Sequence, residues 1–312
     1  MRRPAELHGI LVVDKPRGWT SHDVVARLRR IAGQRQIGHG GTLDPLATGV
    51  LPLGLGSATR LLEYLAEGGK TYEATVRLGA ETNTYDAEGE IVVEAPWHHV
   101  SEAAVRAALP AFTGTIAQRP PAFSAIKRGG RPLYELARRG EAVEAPPRRV
   151  TIHAIALLRF APPEFDLRVD CSGGTYIRSL AHDLGRALGS AAHLAALRRT
   201  RVGGLTLAEA VPLDALEQDG RALLVARLLP ADRAVQHLPS LRLNDAAAAD
   251  VRHGREPDLA RPPTADRSSE ILCRAYDRAG AFIALLRYDA QHERWRPHKV
   301  FPSAGDGGHD RG

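Results

Sequence analysis

A glycine-dense loop around a single acid is the feature of this chain that most constrains its fold. Residues 38–51 read Gly-His-Gly-Gly-Thr-Leu-Asp-Pro-Leu-Ala-Thr-Gly-Val-Leu. Glycine has no Cβ, so the backbone can approach another group closely, and Pro45 pushes Asp44 toward extended geometry. Ordinary turns use fewer such residues around one acid. The loop is therefore expected to hold Asp44 in a fixed position, either as a reactive carboxylate or as the cap of a helix.

Hydrophobic periodicity predicts helices and strands without a regular βαβ alternation. Residues 70–79 alternate between apolar and polar side chains, which is typical of a half-buried strand, and the segment from Ser21 to Gly33 has helical spacing. Residues 191–203 fit a strand or a short helix. Further strands are predicted at 9–14, 90–94, 150–160, 165–172, 270–276, 281–288 and 294–301, and further helices at 57–65, 101–109, 133–139 and 175–188. The sequence therefore predicts an α+β fold with a mixed, mainly antiparallel sheet.

The polarity of the chain changes after Pro239 and indicates a second domain. Residues 240–265 are polar and rich in Ala, Asp, Arg and Pro, and short strands follow them. We therefore predict a main domain over residues 1–237 and a small β domain over residues 238–302. The tail at 303–312 has few apolar side chains, so it is predicted to be disordered.

The charge of the chain favours a phosphate-bearing partner. The formal net charge is +6 and the pI is about 9.6, which suits a nucleic-acid-binding surface. Residues 119–149 hold eight Lys or Arg side chains and three Glu, a net charge of +5. Glycine, proline and aromatic residues interrupt this segment, and the mixture suits a clamp on nucleic acid better than a solvated helix face. Lys127, Arg128 and Arg131 are its candidate phosphate contacts.

Cysteine use and hydropathy indicate a protein of the cytoplasm. Cys171 and Cys273 lie far apart, which suits free thiols in a reducing compartment and gives no zinc-ligand spacing. No apolar run reaches the roughly 18 residues that a membrane-spanning helix needs. Charged and polar residues interrupt the N-terminal region, so no signal peptide is predicted.

The loop at 38–51 resembles the active-site motif of the bacterial tRNA pseudouridine-55 synthases, the TruB family. The family pattern runs Gly-His-x-Gly-Thr-Leu-Asp-Pro-x-Ala-x-Gly-Val-Leu, and the match contains rare combinations of residues. The aspartate of Leu-Asp-Pro is the catalytic nucleophile in that family, so the resemblance implies this role for Asp44. The position after the histidine is usually threonine in the family. Here it is Gly40, which removes a side chain next to His39.

Four further segments, 13–18, 70–73, 171–180 and 194–199, resemble motifs of the same family. The resemblance implies that Tyr72 packs against the target base and assists the late removal of a proton. It also implies that Leu197 lines the base pocket. From alternation alone Tyr72 is a core residue, and Leu197 suits a core position equally well.

Arg178 and Tyr176 follow Gly173 and Gly174, so they are expected in the first turn of a helix. An arginine there is disfavoured by the helix dipole and calls for a nearby anion; the alternative is a surface arginine. The resemblance implies that this anion is Asp44, and an arginine partner favours the charged form of a carboxyl group.

Three further substrate contacts follow from the resemblance alone. His39 would lie near the space that the target base vacates, and Tyr176 would contact the substrate beside Arg178. Lys15 lies in the first of the matching segments, at the end of a strand. Without the family, an ordinary turn explains Lys15 equally well.

The resemblance implies an isomerase that acts on uridine 55 in the TΨC loop of tRNA. The uracil would be detached from C1′ and reattached through carbon 5, with no cofactor and no metal, after the base leaves the RNA stack. The implied partner is the T-arm stem-loop of tRNA, bound by a monomer without a guide RNA. The C-terminal β domain has the position of the family's PUA domain, an RNA-binding module.

Two other functions share parts of this pattern. The guide-dependent H/ACA catalytic subunit of archaea and eukaryotes shares Leu-Asp-Pro, but it lacks a large basic insertion like residues 112–149. A tRNA-folding protein would need the basic surface without the chemistry, and this role is compatible with the enzyme. Annealing of tRNA by an Asp44→Asn variant would separate the two roles.

Overall fold

The structure is a computed structural model that describes residues 5–123, 127–128, 131–132, 145–262 and 271–302. The predicted helix at 133–139 and the predicted disordered tail at 303–312 lie outside the described residues. The side chains of Lys127, Arg128 and Arg131 also lie outside them, although their backbones are included.

The strands and helices follow one another in an irregular order. The strands are β1 Gly9–Lys15, β2 Ile37–His39, β3 Thr48–Leu55, β4 Lys70–Leu78, β5 Ala80–Thr82, β6 Ile91–Glu94, β7 Gly114–Gln118, β8 Lys127–Arg128, β9 Arg131–Pro132, β10 Arg148–Ala161, β11 Glu164–Cys171, β12 Ala192–Val202, β13 Leu205–Thr206, β14 Val211–Pro212, β15 Ser240–Arg242, β16 Ile271–Tyr276, β17 Phe282–Asp289 and β18 Arg294–Val300. The α-helices are α1 Ser21–Ala32, α2 Leu62–Glu67, α3 Glu102–Ala108, α4 Ile177–Ala187, α5 Leu213–Ala226 and α6 Asp245–Arg252.

A ten-stranded sheet forms the body of the molecule. Its order is β14-β1-β3-β12-β4-β11-β10-β7, with β2 beside β3 and β13 beside β12. The pairs β1–β14 and β3–β12 are parallel and the other pairs in this sheet are antiparallel. The prediction of an α+β fold with a mainly antiparallel sheet is therefore confirmed.

The centre of this sheet brings together three distant parts of the chain. In the parallel β3–β12 pair, Gly49 lies opposite Arg199, and in the antiparallel β12–β4 pair, Arg199 lies opposite Tyr72. Strand β4 is buried on the face of Tyr72, while Glu73 and Arg77 on the other face are exposed, as the alternation predicts. The loop before β3 thus ends beside β12 and β4.

Helix boundaries follow local chemistry that the sequence shows in part. Thr20 and Asp23 form a capping box at the start of α1, and Gly33 ends it at φ +67°. The predicted helix at 57–65 begins instead as a 3₁₀ turn, Gly56–Leu61, and continues as α2. Ser57 does not cap it with its side chain; its N–H donates to His8 Nδ1 at 3.0 Å.

A separate four-stranded sheet, in the order β15-β16-β17-β18, follows the main sheet. Its core contains Tyr288 and Trp295 and is closed by α6. The small C-terminal β domain predicted from the sequence is confirmed, and it is consistent with a PUA-like fold. The predicted boundary at 237–238 lies shortly before β15. Within the described part of the chain, no helix is both long and apolar enough to cross a membrane.

The C-terminal sheet is docked on α2 and on the 3₁₀ turn before it by polar and apolar contacts. Arg60 donates to the carbonyl of Val300 at 2.8 Å, and Lys299 forms an ion pair with Glu63. Phe301 shares one buried cluster with Leu62 of α2 and with residues of the main sheet. This junction ties β18 to the helix that packs over the glycine-rich loop.

Candidate active site

The residues on both sides of Asp44 are held by hydrogen bonds. Ser21 Oγ accepts from the N–H of Leu43 at 2.9 Å and donates to its carbonyl at 3.1 Å. The carbonyl of Pro45 accepts from the N–H of Gly18 at 2.8 Å. Asp44 itself remains 40% exposed, although Leu43 beside it is buried. The loop therefore presents one carboxylate from a fixed backbone.

Lys15 lies beneath this loop. Its ammonium is fully buried and donates to the carbonyls of Trp19 at 2.6 Å, Pro16 at 2.9 Å and Pro45 at 3.4 Å. Burial lowers the pKa of Lys15 to about 8, against the opposing charge of Asp44. In this geometry the Lys15 ammonium holds the loop, and contact of Lys15 with the substrate stays a prediction.

Arg178 lies at the start of α4, and its side chain is 8% exposed. Its Nε is 3.0 Å from Asp44 Oδ2, and its Nη1 is 3.4 Å from Asp86 Oδ2. The guanidinium also donates to the carbonyls of Thr84 at 3.1 Å and Phe123 at 3.0 Å. Two carboxylates thus supply the negative charge that an arginine in this helix position requires.

A pocket of about 280 Å³ opens beside Asp44. Its lining contains the predicted residues Asp44, Tyr72, Tyr176, Arg178 and Leu197. The main chain of Tyr176 is clamped by the Gln118 amide group, which accepts from its N–H at 2.7 Å and donates to its carbonyl at 2.9 Å. The β11–α4 turn therefore forms a fixed wall of this pocket.

Strands β4 and β12 contribute buried polar groups to the same pocket. Arg199 is fully buried and donates to the carbonyls of Val50 at 2.8 Å, Gly41 at 3.0 Å and Thr42 at 3.3 Å. Burial raises the pKa of Tyr72, and the hydrogen bond and charge of Arg199 act against that rise. Tyr72 is therefore a neutral phenol near neutral pH.

His39 lies outside this pocket. Its ring meets that of His22 edge to face at 5.2 Å between centroids, and its Nδ1 is buried with no hydrogen-bond partner among the described residues. Burial lowers the pKa of His39, with further lowering from His22 and Arg199. His39 thus lies at the end of β2 and is not among the residues that line the pocket, and its contact with the substrate stays a prediction.

Sequence reasoning missed three residues of this site. Asp86 pairs with Arg178, and Lys70 and Arg199 line the pocket. Lys70 had a visible signal, because it shares the apolar face of β4 with Tyr72. Asp86 lies in a turn with no such periodicity, so nothing in the sequence alone indicated it.

The structure describes only part of the basic segment at residues 119–149. The backbones of β8 and β9 form a two-residue ladder, Lys127 with Pro132 and Arg128 with Arg131. Their side chains lie outside the described residues, so phosphate contact by Lys127, Arg128 and Arg131 stays a prediction.

Comparison with known proteins identifies the family. The model of the TruB family pseudouridylate synthase N-terminal domain matches residues 29–177, and that of the tRNA pseudouridylate synthase B C-terminal domain matches residues 178–236. A protein of Thermobifida fusca (strain YX) named tRNA pseudouridine synthase B is 51% identical over 254 residues, which cover 79% of this chain and 85% of that protein. The protein of the same name from Burkholderia mallei (strain NCTC 10247) is 47% identical over 284 residues, covering 90% and 93%.

A solved structure supports the same relationship. The chain resembles a protein in the structure of an H/ACA RNP bound to a substrate RNA containing 2′-deoxyuridine, with a TM-score of 0.72 and 29% identity over 95% of this chain and 85% of that one. Both family models meet at Ile177 and Arg178, at the start of α4. The chain therefore belongs to the TruB family of pseudouridylate synthases, which are isomerases.

Proposed function

We propose that this protein converts uridine 55 in the T loop of tRNA to pseudouridine, with Asp44 as the nucleophile. The observation that carries the proposal is an accessible carboxylate, Asp44, held at 3.0 Å by the buried Arg178 at the edge of a pocket. A nucleophile needs exposure to its substrate and a fixed direction of approach. The Asp44–Arg178 pair supplies both.

The reaction needs one base to enter the pocket. The base leaves the RNA stack, and Leu197 and Tyr72 line the space beside Asp44. Asp44 acts on the ribose, either by attack on C1′ or by removing a sugar proton, and the bond from C1′ to N1 breaks. Carbon 5 then bonds to C1′, and Asp44 is released from C1′ or returns the sugar proton, according to the route. Carbon 5 loses its proton with the assistance of Tyr72, and N1 gains one. The atoms balance as an isomerisation.

The substrate we propose is the T arm of tRNA, bound by a cytoplasmic monomer without a guide RNA. The two relatives described above carry names that specify tRNA. The +5 charge of residues 119–149 suits a phosphate backbone. The same segment would support a tRNA-folding role beside the enzymatic one.

A guide-dependent reaction is the second candidate, and the similarity to an H/ACA protein favours it. That candidate requires a guide RNA to select the target uridine. Unmodified tRNA incubated with the purified protein alone separates the two, because pseudouridine at position 55 would form without any guide. Absence of product until a guide RNA is added would support the second candidate.

The Asp44→Asn variant tests the nucleophile. Asparagine keeps the shape of the side chain but cannot attack as a carboxylate, so we expect unchanged tRNA affinity and loss of turnover by at least about 100-fold. Single-turnover pseudouridine formation and equilibrium tRNA binding measure the two effects. Residual turnover above roughly 1% of wild type would contradict the assignment, since loss of a nucleophile costs several powers of ten. Retained annealing of tRNA by the same variant would support the folding role.

A further inference from the structure

Two buried cations form one wall of the pocket. Lys70 is 7% exposed and Arg199 is fully buried, and both line the pocket from neighbouring strands. They meet beneath Gly41, where a Cβ would lie 3.6 Å from Arg199 Nη1 and 3.8 Å from Lys70 Cε. The absence of a side chain at Gly41 therefore leaves both cations close to the pocket.

Arg199 in this wall lacks the paired carboxylates that Arg178 has among the described residues. Arg178 is matched by Asp44 and Asp86. The hydrogen bonds of Arg199 go to neutral groups, which are three backbone carbonyls and the Tyr72 phenol. Among the described residues no carboxylate forms an ion pair with Arg199, although the charge of Asp44 acts on it at longer range. A buried charge is costly unless something compensates it. A substrate that becomes negative in the pocket would supply that compensation.

We propose that Lys70 stabilises the negative charge of the detached uracil, with Arg199 adding positive charge to the same wall of the pocket. This inference rests on the proposed function, because it assigns a role in that reaction. Fixed positive groups aimed at a developing charge are a large source of catalysis in sites that exclude water.

The chemistry of the isomerisation creates this charge. When the bond between C1′ and N1 breaks, its electron pair stays with uracil and spreads over N1 and the two carbonyl oxygens. A cation beside the base lowers the energy of that anion. The pair is consumed when carbon 5 bonds to C1′, after which carbon 5 loses a proton and N1 gains one. No oxidant, reductant or additional reactant is required.

The charged form of Lys70 is available near neutral pH. Burial lowers its pKa to about 8, Arg199 on β12 lowers it further, and Cys171 on β11 acts in the opposite direction. Tyr72 and Asp44 share the pocket, and Lys15 beneath the loop also has a pKa of about 8. The ammonium of Lys70 is therefore lost as the pH rises through about 8.

Three variants separate a charge effect from a structural one. Lys70→Met removes the charge and fills a similar volume, Lys70→Arg keeps a cation that does not titrate, and Arg77→Met removes a charge from the exposed face of the same strand. Each is compared with wild type in single-turnover pseudouridine formation on unmodified tRNA, and in tRNA binding.

We expect Lys70→Met to react about 100-fold more slowly, as for loss of one group that stabilises an anionic intermediate, with tRNA affinity within about twofold of wild type. Lys70→Arg should recover most of this loss, and Arg77→Met should match wild type. The wild-type rate should fall above pH 8, and this fall should be absent in Lys70→Arg, because arginine stays protonated.

Clear results would overturn the inference. Wild-type turnover in Lys70→Met would do so, as would a Lys70→Arg variant as slow as Lys70→Met. An alkaline fall that persists unchanged in Lys70→Arg would assign that titration to another group, such as Lys15, and would also count against Lys70. These results require an active wild type, and failure of the wild type to form pseudouridine would reject the proposed function instead.

Discussion

At the scale of single residues, Arg178 does more than pair with one carboxylate. Its guanidinium contacts Asp44, Asp86 and the carbonyls of Thr84 and Phe123 at the same time. A planar group with several fixed donors can satisfy such a set, whereas an ammonium on a shorter stem cannot. Arg178 therefore joins Asp44 to the turn at residues 82–86 and to the segment after β7.

We predict that Arg178→Lys loses turnover while it binds tRNA normally. Lysine keeps the charge but loses the fork that directs Asp44, so single-turnover rates should fall by at least about 10-fold. Binding measured in parallel serves as the internal control. Wild-type rates in Arg178→Lys would refute a directing role for the guanidinium.

The sequence predicted which residues form the site where they lie in family motifs. It predicted only in part how buried these residues are. The resemblance indicated Asp44, Tyr72 and Arg178, and the structure brings all three to one pocket. It did not indicate that Lys15 would be buried, since a lysine at a strand end is usually exposed. Burial depends on which segments pack above a residue, and those segments are distant in the sequence.

At the scale of elements, the parallel pairing of β3 with β12 depends on Gly49. Its φ is +98°, and a Cβ there would collide with the carbonyl oxygen of Arg199. This pairing of β3 with β12 fixes the distance between the Asp44 loop and Arg199. The sequence shows the glycine but not this pairing, because two strands separated by more than a hundred residues carry no local signal for each other.

We predict that Gly49→Ala destabilises the protein more than Gly114→Ala does. Gly114 also has a positive φ, +93°, but a Cβ there meets nothing within 4 Å. Gly114→Ala should therefore cost about 1–2 kcal/mol of backbone strain, whereas Gly49→Ala adds a steric clash and should cost several kcal/mol or prevent folding. Urea unfolding of both variants measures the difference. An equal decrease in the free energy of unfolding of the two variants would mean that β3 and β12 move apart at little cost to accommodate the added Cβ.

The basic segment at residues 119–149 is predicted to bind tRNA through its phosphates. Each phosphate contact that is removed should flatten the dependence of log affinity on log salt by about 0.7 to 0.9. The triple variant Lys127→Ala/Arg128→Ala/Arg131→Ala should thus lower the slope for tRNA by roughly 2 to 3. Arg159→Ala removes an arginine that is paired with Asp166 and serves as a control. An unchanged slope in the triple variant would mean that these charges only solvate a surface.

Helices were predicted unevenly for a physical reason. Ser101 caps α3 as its sequence pattern indicates. Helix α6 was missed because its segment reads as polar and alanine-rich, yet Ala247, Ala248 and Val251 are buried against the C-terminal sheet. Alanine favours helices, but it gives a weak hydrophobic signal, so tertiary packing decides the outcome.

At the scale of the whole molecule, two buried lysines make stability depend on pH. The pKa values of Lys15 and Lys70 are lowered to about 8, against 10.5 for an unperturbed lysine. Between these values the unfolded chain binds more protons than the folded one, so the free energy of unfolding rises with pH. Burial raises the pKa of Cys171 from 9.0 to about 11, which has the opposite effect above pH 9.

We therefore predict that stability increases from pH 8 to pH 9 and rises more slowly beyond it, because the Cys171 thiol then offsets part of the effect of the two lysines. Each lysine should contribute roughly 1 kcal/mol over that interval. Lys70→Met should remove about half of the rise, since Lys15 remains. Urea unfolding at each pH measures the change, and parallel curves for wild type and Lys70→Met would contradict it.

Gly40 is the position in the loop where this chain departs from the family pattern, and α2 packs against it. A Cβ at Gly40 would lie 3.2 Å from Leu65 Cβ and 3.4 Å from Leu62 Cδ2, closer than ordinary van der Waals contact. A side chain at position 40 therefore requires Leu65 or α2 to move by a few tenths of an ångström. A relative with threonine at 40 is expected to carry a smaller side chain at 65 or a shifted α2, so the three positions should covary among relatives.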